Sequence, residues 1–207
     1  MKKRLRTPPT KSALLGLRRQ LRFLQQGHAM LERKRELLNR VVRERLEHYR
    51  DLRARTLAAL GEAYRWLGIT EMRMGSQVIR QAALGAGPAL RVGILPRSSV
   101  GIEYPAAHAE EIPLQPVGMM GTDASFDQAR SGMARTAVLL VQLGEAETAL
   151  WRLLTEQRRT QRRVNALRYN IIPRYQATIR FIESMLEEDE RTTLFQIKRL
   201  REAVVPD

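Results

Sequence analysis

The stretch RRVNALRYNIIPRY, Arg162 to Tyr175, decides how this chain is read. Pro173 interrupts what otherwise has the spacing of one long helix. Upstream, from Ala137, apolar residues recur at helical intervals. Downstream, Ile179, Ile182, Met185 and Leu186 continue the stripe. A proline inside a helix removes a backbone donor and crowds the carbonyl four residues back, here that of Tyr169, at a cost of roughly 3 kcal/mol. A helix that carries this cost is long, supported by a partner, or bent for a purpose.

Working outward, this helix is expected to open near Thr122. Ser125 with Gln128 three residues on has the form of a capping box, and Asp123 and Asp127 suit the positive end of a helix dipole. Helical spacing then runs through Val138, Val141, Leu150, Leu154, Val164, Leu167, Ile171, Ile179, Ile182, Leu186, Leu194 and Ile197 to about Leu200, with Pro206 beyond. A matching stripe lies at the other end of the chain. After Pro8 and Pro9, Thr10 is the expected N-cap of a helix reaching Met74. Its seam reads Leu14, Leu17, Leu21, Leu24, His28, Leu31, Arg35, Leu38 and Val42, then Leu46, Tyr49, Leu52, Leu57, Leu60, Tyr64 and Leu67. Alternating steps of three and four, with Arg, Lys, Glu and Gln between, are the pattern of a coiled-coil strand. At 1.5 Å per residue such a helix reaches on the order of 90 Å.

Between the two stripes, about Gly75 to Gly121, glycines and prolines concentrate and basic residues thin out. Gly75-Ser76 reads as a helix stop and restart, with a short helix from about Gln77 to Leu84. Leu90, Val92 and Ile94 alternate, Pro96 to Ser99 is expected to turn, and Val100, Ile102 and Tyr104 alternate again. This predicts a β-hairpin with a four-residue loop, followed by an irregular segment around Pro105, Pro113 and Pro116. Such a hairpin is marginal alone and should lean on the helices. Met72, Met74, Met119 and Met120 flank the insert and are expected to fill gaps where the hairpin leans on the helices, with a partner-binding patch as the alternative.

The fold class follows: all-α dominated, a long antiparallel two-helix coiled coil with a small inserted β-hairpin and short helix. The expected organisation is one elongated domain, with residues 1–74 as the first helix, 75–121 as the insert and 122–207 as the closing helix. Two helices joined by a compact insert must run antiparallel if they pair within one chain. The composition agrees: charged residues make up 28% and aromatics 5%, which favours charged helices with aliphatic seams over an aromatic-rich core. The net charge of +14 and pI near 11.1 direct the chain to acidic partners. There is no cysteine for a disulfide or thiolate site, and no apolar run of membrane-spanning length. The basic start, MKKRLRTPPTKS, is not followed by the uninterrupted apolar stretch of a secretory signal.

Signatures of catalysis are missing. There is no G-x-x-x-x-G-K-[ST] and no H-E-x-x-H, and the three histidines, His28, His48 and His108, are far apart in sequence. His28 falls on the seam and reads as a packed or hydrogen-bonded residue. The run Glu187, Glu188, Asp189, Glu190 reads as a solvated acidic turn, since adjacent helical residues do not face one site. No cofactor and no metal is expected. The basic groups Arg33, Lys34, Arg35 and Arg158, Arg159, Arg162, Arg163 would give salt-sensitive contacts to nucleic acid, or form solvated helix faces.

Two segments carry a resemblance. PTKSALLGLRRQLRFLQQGHAMLERKRELL, Pro9 to Leu38, resembles the start of the D subunit of V-type and archaeal/bacterial A-type rotary ATPases. TQRRVNALRYNIIPRYQATIRFIESMLEEDERTTLFQIKRL, Thr160 to Leu200, resembles its closing helix. The characteristic pieces are P-T-K-S, the G-H with K-R further on, R-R-V-N-A-L, I-P and the F-x-x-K-R-L end. Together the segments cover about a third of the chain.

The resemblance implies a non-catalytic central rotor shaft of a proton- or sodium-translocating ATPase or ATP synthase. It implies one copy per complex, on the cytoplasmic side of the membrane. Its partners would be the A and B subunits of the catalytic head, the F subunit on the stalk, and the C (or d) subunit at the base, with no nucleotide bound by the shaft itself. Within that expectation Lys11, Arg18, Arg162 and Arg163 are candidate contacts to acidic loops of the head. Pro173 is a candidate bend that makes the shaft eccentric, against the alternative of a tolerated kink. The hairpin residues Leu90, Val92, Ile94, Val100, Ile102 and Tyr104 are candidates for regulation or for contact with neighbouring stalk subunits. The alternative function is a basic coiled-coil scaffold that binds nucleic acid non-specifically.

Overall fold

The computed structural model describes residues 5–117 and 121–204. Met119, Met120 and Pro206 lie outside the described residues. Among the described residues four α-helices and two strands follow one another: α1 (Lys11–Met74), α2 (Ser76–Leu84), β1 (Leu90–Ser99), β2 (Ile102–Glu111), α3 (Ala124–Ala166), a π turn (Leu167–Ile171) and α4 (Ile172–Val204). The fold is a helical coiled coil with an inserted hairpin and short helix, as the two stripes predict. It has two compact units, Met1–Glu36 with Arg158–Asp207, and Leu37–Gln157.

Thr10 caps α1. Its hydroxyl oxygen accepts the Ala13 N–H at 3.2 Å and its carbonyl accepts the Leu14 N–H at 3.0 Å, satisfying two donors of the first turn. α1 ends where Gly75 takes φ 78°, a conformation that favours glycine, and α2 restarts at once.

In the first unit α1 and α4 run antiparallel. Lys11 pairs with Glu190 at 2.7 Å and Arg18 with Glu183 at 2.6 Å, so seven residues forward in α1 match seven back in α4. Leu17, Ile179 and Ile182 form the buried cluster, with Leu14, Leu21, Tyr175 and Leu186 against it. Each fully buried aliphatic side chain contributes about 1.5–3 kcal/mol. Leu5 also joins this cluster, and its N–H donates to Thr178 Oγ1 at 3.0 Å. The segment before Thr10 therefore doubles back onto α4, which helical periodicity does not foresee. Three expected seam residues are instead exposed: Met185, Leu194 and Ile197. Leu194 and Ile197 lie in α4 beyond the last α1 partner, Lys11 opposite Glu190.

In the second unit α1 and α3 run antiparallel. The Gln157 amide donates to Asn39 Oδ1, and Arg73 pairs with Asp123 at 2.8 Å. Leu38, Val42, Leu150 and Leu153 are buried together, with Tyr49 and Ile102 packed on them. Further along α1 the expected seam is displaced. Leu57 and Tyr64 are 56% and 60% exposed, whereas Thr56, Ala63 and Thr70 are buried. On α3 the buried positions include Ala129, Ala134, Thr136, Ala146 and Ala149. Small side chains let the backbones approach: a methyl group at Gly132 would stand 3.5 Å from Cα and Cβ of Ala63. Large residues cannot fit between helices that close, so they turn outward. Met72 is likewise exposed rather than filling a gap.

Two local expectations are corrected. The N-cap of α3 is Asp123, ahead of the expected Ser125. Asp123 Oδ1 accepts the Ala124 N–H at 2.8 Å and its carbonyl accepts the Phe126 N–H at 2.8 Å. Ser125 is buried inside the first turn and donates its hydroxyl to Asp123 Oδ2. The hairpin is longer than expected and turns later. Pro96 to Ser99 continues β1, and the turn is Val100-Gly101, with φ 53° and 72°. Positive φ at both central residues is the two-residue turn that matches strand twist. A β-branched Val is a poor marker for such a turn, which hides it in the sequence. Pro105 lies inside β2, paired with Pro96. A two-residue turn makes Ser99–Ile102 a hydrogen-bonded pair, so Pro96–Pro105 is a non-bonded pair, a position where the ladder does not need the N–H that proline lacks.

Candidate functional site

No single concave site gathers the residues singled out by sequence. They fall on three surfaces, each within one unit.

The first surrounds Pro173. The helix does not simply kink there. Five residues before it, Leu167–Ile171, form a π turn, closed by the Ile172 N–H donating to the Leu167 carbonyl. Ala166 and Ile172, on either side, keep right-handed helical angles. Pro173 has no N–H, so the Tyr169 carbonyl loses its α-helical donor. The widened turn stands immediately before the proline, where an α-helical carbonyl would meet the ring, and the helix then resumes. Pro173 is half-buried, and Tyr169 on the π turn is 63% exposed. Sequence reasoning finds the proline but not the inserted residue, since the apolar spacing survives it.

The second surface is basic. Arg162 and Arg163 are exposed on α3 and form no ion pair among the described residues. Lys11 and Arg18 are also exposed, but each is paired within the chain, to Glu190 and Glu183. The hydrogen bond and attraction between Lys11 and Glu190 raise the lysine pKa and lower that of the carboxylate. His28 lies nearby in sequence and is half-buried, with Nε2 3.9 Å from Glu32 and no hydrogen-bond partner of its own. The acidic turn is divided: Glu190 faces Lys11, while Glu188 faces Arg191.

The third surface is the hairpin. Its six candidate residues do not act alike. Tyr104 is buried, and its hydroxyl accepts from Arg45 at 3.1 Å while the guanidinium lies 5.6 Å from the ring centroid. Ile102 packs on the Leu38 cluster. Arg152 donates to the Glu103 carbonyl at 2.7 Å, and Glu145 accepts the Ala107 N–H at 3.1 Å. β2 is thus held to α1 and α3. On β1, Val92 and Ile94 are exposed, Leu90 is half-buried at the strand's start, and Val100 sits in the turn. Among the described residues no group of His, Cys, Asp or Glu has the arrangement to hold a metal. No described helix is long and apolar enough to cross a membrane.

Fold and surfaces together define a two-helix coiled-coil protein with an inserted hairpin, one whose features are faces rather than a pocket. Comparison with known proteins specifies it further. A family described as the ATP synthase D subunit matches residues 13–202. The A-type ATP synthase D subunit of Pyrococcus furiosus is 31% identical, with 95% of this chain and 94% of the relative covered. The V-type ATP synthase D subunit of Thermotoga neapolitana is 34% identical, covering 95% and 97%. The A-type D subunit of Methanosphaera stadtmanae is 32% identical, covering 95% and 94%. The chain belongs to the family of ATP synthase D subunits. It is accordingly a central-stalk component of a V/A-type rotary ATPase, a member of a multisubunit complex and not its catalytic part. The nucleic-acid scaffold reading finds no support among these relatives.

Proposed function

We propose that this stalk component works as an asymmetric shaft. Its paired helices enter the hexameric head of alternating A and B subunits, the F subunit binds lower down, and the C (or d) subunit couples the base to the membrane ring. One copy serves each complex, on the cytoplasmic side. Residues 1–74 and 122–207 form the axle and 75–121 its lateral insert. The observation that carries this reading is the antiparallel helix pairing within each unit, whose seams are buried and whose outer faces are charged. Paired helices resist bending and twisting more than one helix does. A charged exterior does not lock into a single apolar socket.

A shaft with unlike faces biases chemically identical head interfaces to different conformations, because each meets a different surface. Rotation then exchanges those biases. Pro173 and its π turn supply one such difference, and the exposed Arg162 and Arg163 supply another. Lys11 and Arg18 belong to the same basic set, and reaching acidic head loops requires them to share or exchange Glu190 and Glu183. The hairpin is the regulatory element of this scheme.

The test is reassembly with A, B and F subunits at moderate salt. The wild-type chain should co-purify and couple hydrolysis to rotation. The double reversal Arg162→Glu/Arg163→Glu should weaken assembly, most at low salt, because screening removes the effect. Assembly that ignores these charges at every salt concentration overturns their role. A chain that never enters the complex overturns the shaft itself.

A further inference from the structure

We propose that β1 is a docking strand: its free outer edge, at Val92 and Ile94, takes up an extended, acid-bearing segment of another protein of the same complex by strand addition. This inference rests on the central-stalk reading and gives its hairpin a binding chemistry.

The two-residue turn fixes which amides point where. Hydrogen-bonded and non-bonded pairs alternate away from Ser99–Ile102. Arg97–Tyr104, Leu95–Ala106 and Gly93–His108 therefore bond across the ribbon. Ile94–Ala107 and Val92–Ala109 turn their N–H and carbonyl groups outward, and Pro96–Pro105, which has no N–H, turns only carbonyls outward. Two independent contacts agree with this phase. The outward Glu103 carbonyl accepts from Arg152, and the outward Ala107 N–H donates to Glu145. The outer edge of β2 is thus covered by side chains of α3.

The outer edge of β1 has no such cover. Among the described residues nothing bonds to the outward groups of Val92 or Ile94. The two residues are 45% and 68% exposed, and Leu95 is 71% exposed. Proteins protect bare strand edges with charge, proline or a covering element, because an unpaired row of donors and acceptors recruits other strands. Here Pro96 blocks one end and leaves Val92 to Ile94 open.

Charge identifies the occupant. β1 carries Arg91 and Arg97 and no acid, while the acids of the ribbon, Glu103, Glu110 and Glu111, all lie on β2. A strand laid beside β1 places its side chains next to those two arginines. The complementary segment has acidic residues flanking apolar ones, which meet Val92 and Ile94. A second copy of this chain fits worse. It would set Arg91 and Arg97 against the same arginines, between chains of net charge +14.

Amide-resolved hydrogen exchange on the isolated chain and on the assembled complex tests this. Val92 and Ile94 should exchange fast when isolated and at least roughly tenfold slower in the complex. Gly93 and Leu95, bonded to β2 in both states, should already be slow. Fast exchange at Val92 and Ile94 in a complex that contains the chain overturns the docking strand and leaves the shaft reading intact. Failure to enter the complex overturns both. Protection in the isolated chain together with a dimeric mass assigns the edge to a second copy, and overturns the proposal. A variant pair separates backbone from side chain. Ile94→Pro removes the outward N–H at a position equivalent to Pro96, whereas Ile94→Ala keeps it. Ile94→Pro should retain partner subunits up to about tenfold less well than Ile94→Ala. Equal retention overturns strand addition.

Discussion

The aliphatic seam around Leu17, Ile179 and Ile182 and the small-residue seam around Ala63, Gly132 and Thr136 hold helix pairs together by different means. The first gains from apolar area. The second buries little side chain per residue and gains from close backbone approach and dispersion. Its threonines would bring unsatisfied hydroxyls into the seam, but each satisfies itself. Thr56 donates to the Leu52 carbonyl, Thr70 to that of Trp66 and Thr136 to that of Gly132, at 2.7–2.8 Å. A threonine bonded back to its own helix packs as a valine-sized wedge and asks nothing of the partner. The comparison teaches that a coiled-coil stripe drawn through the largest apolar residues fails where the helices come closest.

The contrast can be broken at four points. Ile182→Ala leaves a cavity in the aliphatic seam and should cost about 2–5 kcal/mol, read from the urea midpoint at unchanged slope. A loss below about 1 kcal/mol would mean that this seam is not where the first unit is held. Pro173→Ala supplies the N–H with which the π turn can return to an α-helical one, donating to the Tyr169 carbonyl, and should raise stability by up to about 3 kcal/mol. Higher stability with unchanged coupling between hydrolysis and rotation would rule out a mechanical use of the bend.

Ala63→Leu puts bulk into the small seam and should destabilise by about 1–3 kcal/mol, although it adds apolar surface. If the melting temperature rises instead, the helices are not closely packed there. The smallest effect is that of acid. Asp123 beside Arg73 and Ser125, and Glu190 beside Lys11, have folded pKa values below their ordinary ones. Their stabilisation is present above the ordinary carboxylate range and is lost as pH falls through the lowered values. Lys11, raised by Glu190, adds stability that is lost only as pH climbs past its own raised value. Both pairs are exposed, so the acid loss should be slight and should shrink further with salt. Asp123→Asn and Glu190→Gln should flatten the acid limb of a stability–pH curve. An unaltered limb would show that the pairs contribute nothing.

Much of the architecture is legible in the residues. Thr10 as a cap, Gly75 as a break, the short helix to Leu84 and the two long stripes follow from local rules of dihedral angle and periodicity. The hairpin is legible as to existence but not as to turn, because Val100 takes a conformation that its branched side chain disfavours. Of the candidate surfaces, the basic residues and Pro173 are visible in sequence. The π turn is not, because one inserted residue barely disturbs an apolar stripe.

What the sequence by itself determined is the class of element at each place: its spacing and its glycines, prolines and caps act within a few residues. Only the tertiary structure decided which residues meet. Closeness of approach sets whether Ala63 or Tyr64 faces the partner helix, and folding back brings Leu5 to Thr178. The attachment of β2 to Arg152 and Glu145 is what leaves β1 with a bare edge. These are contacts between residues distant along the chain, and local periodicity carries no record of them.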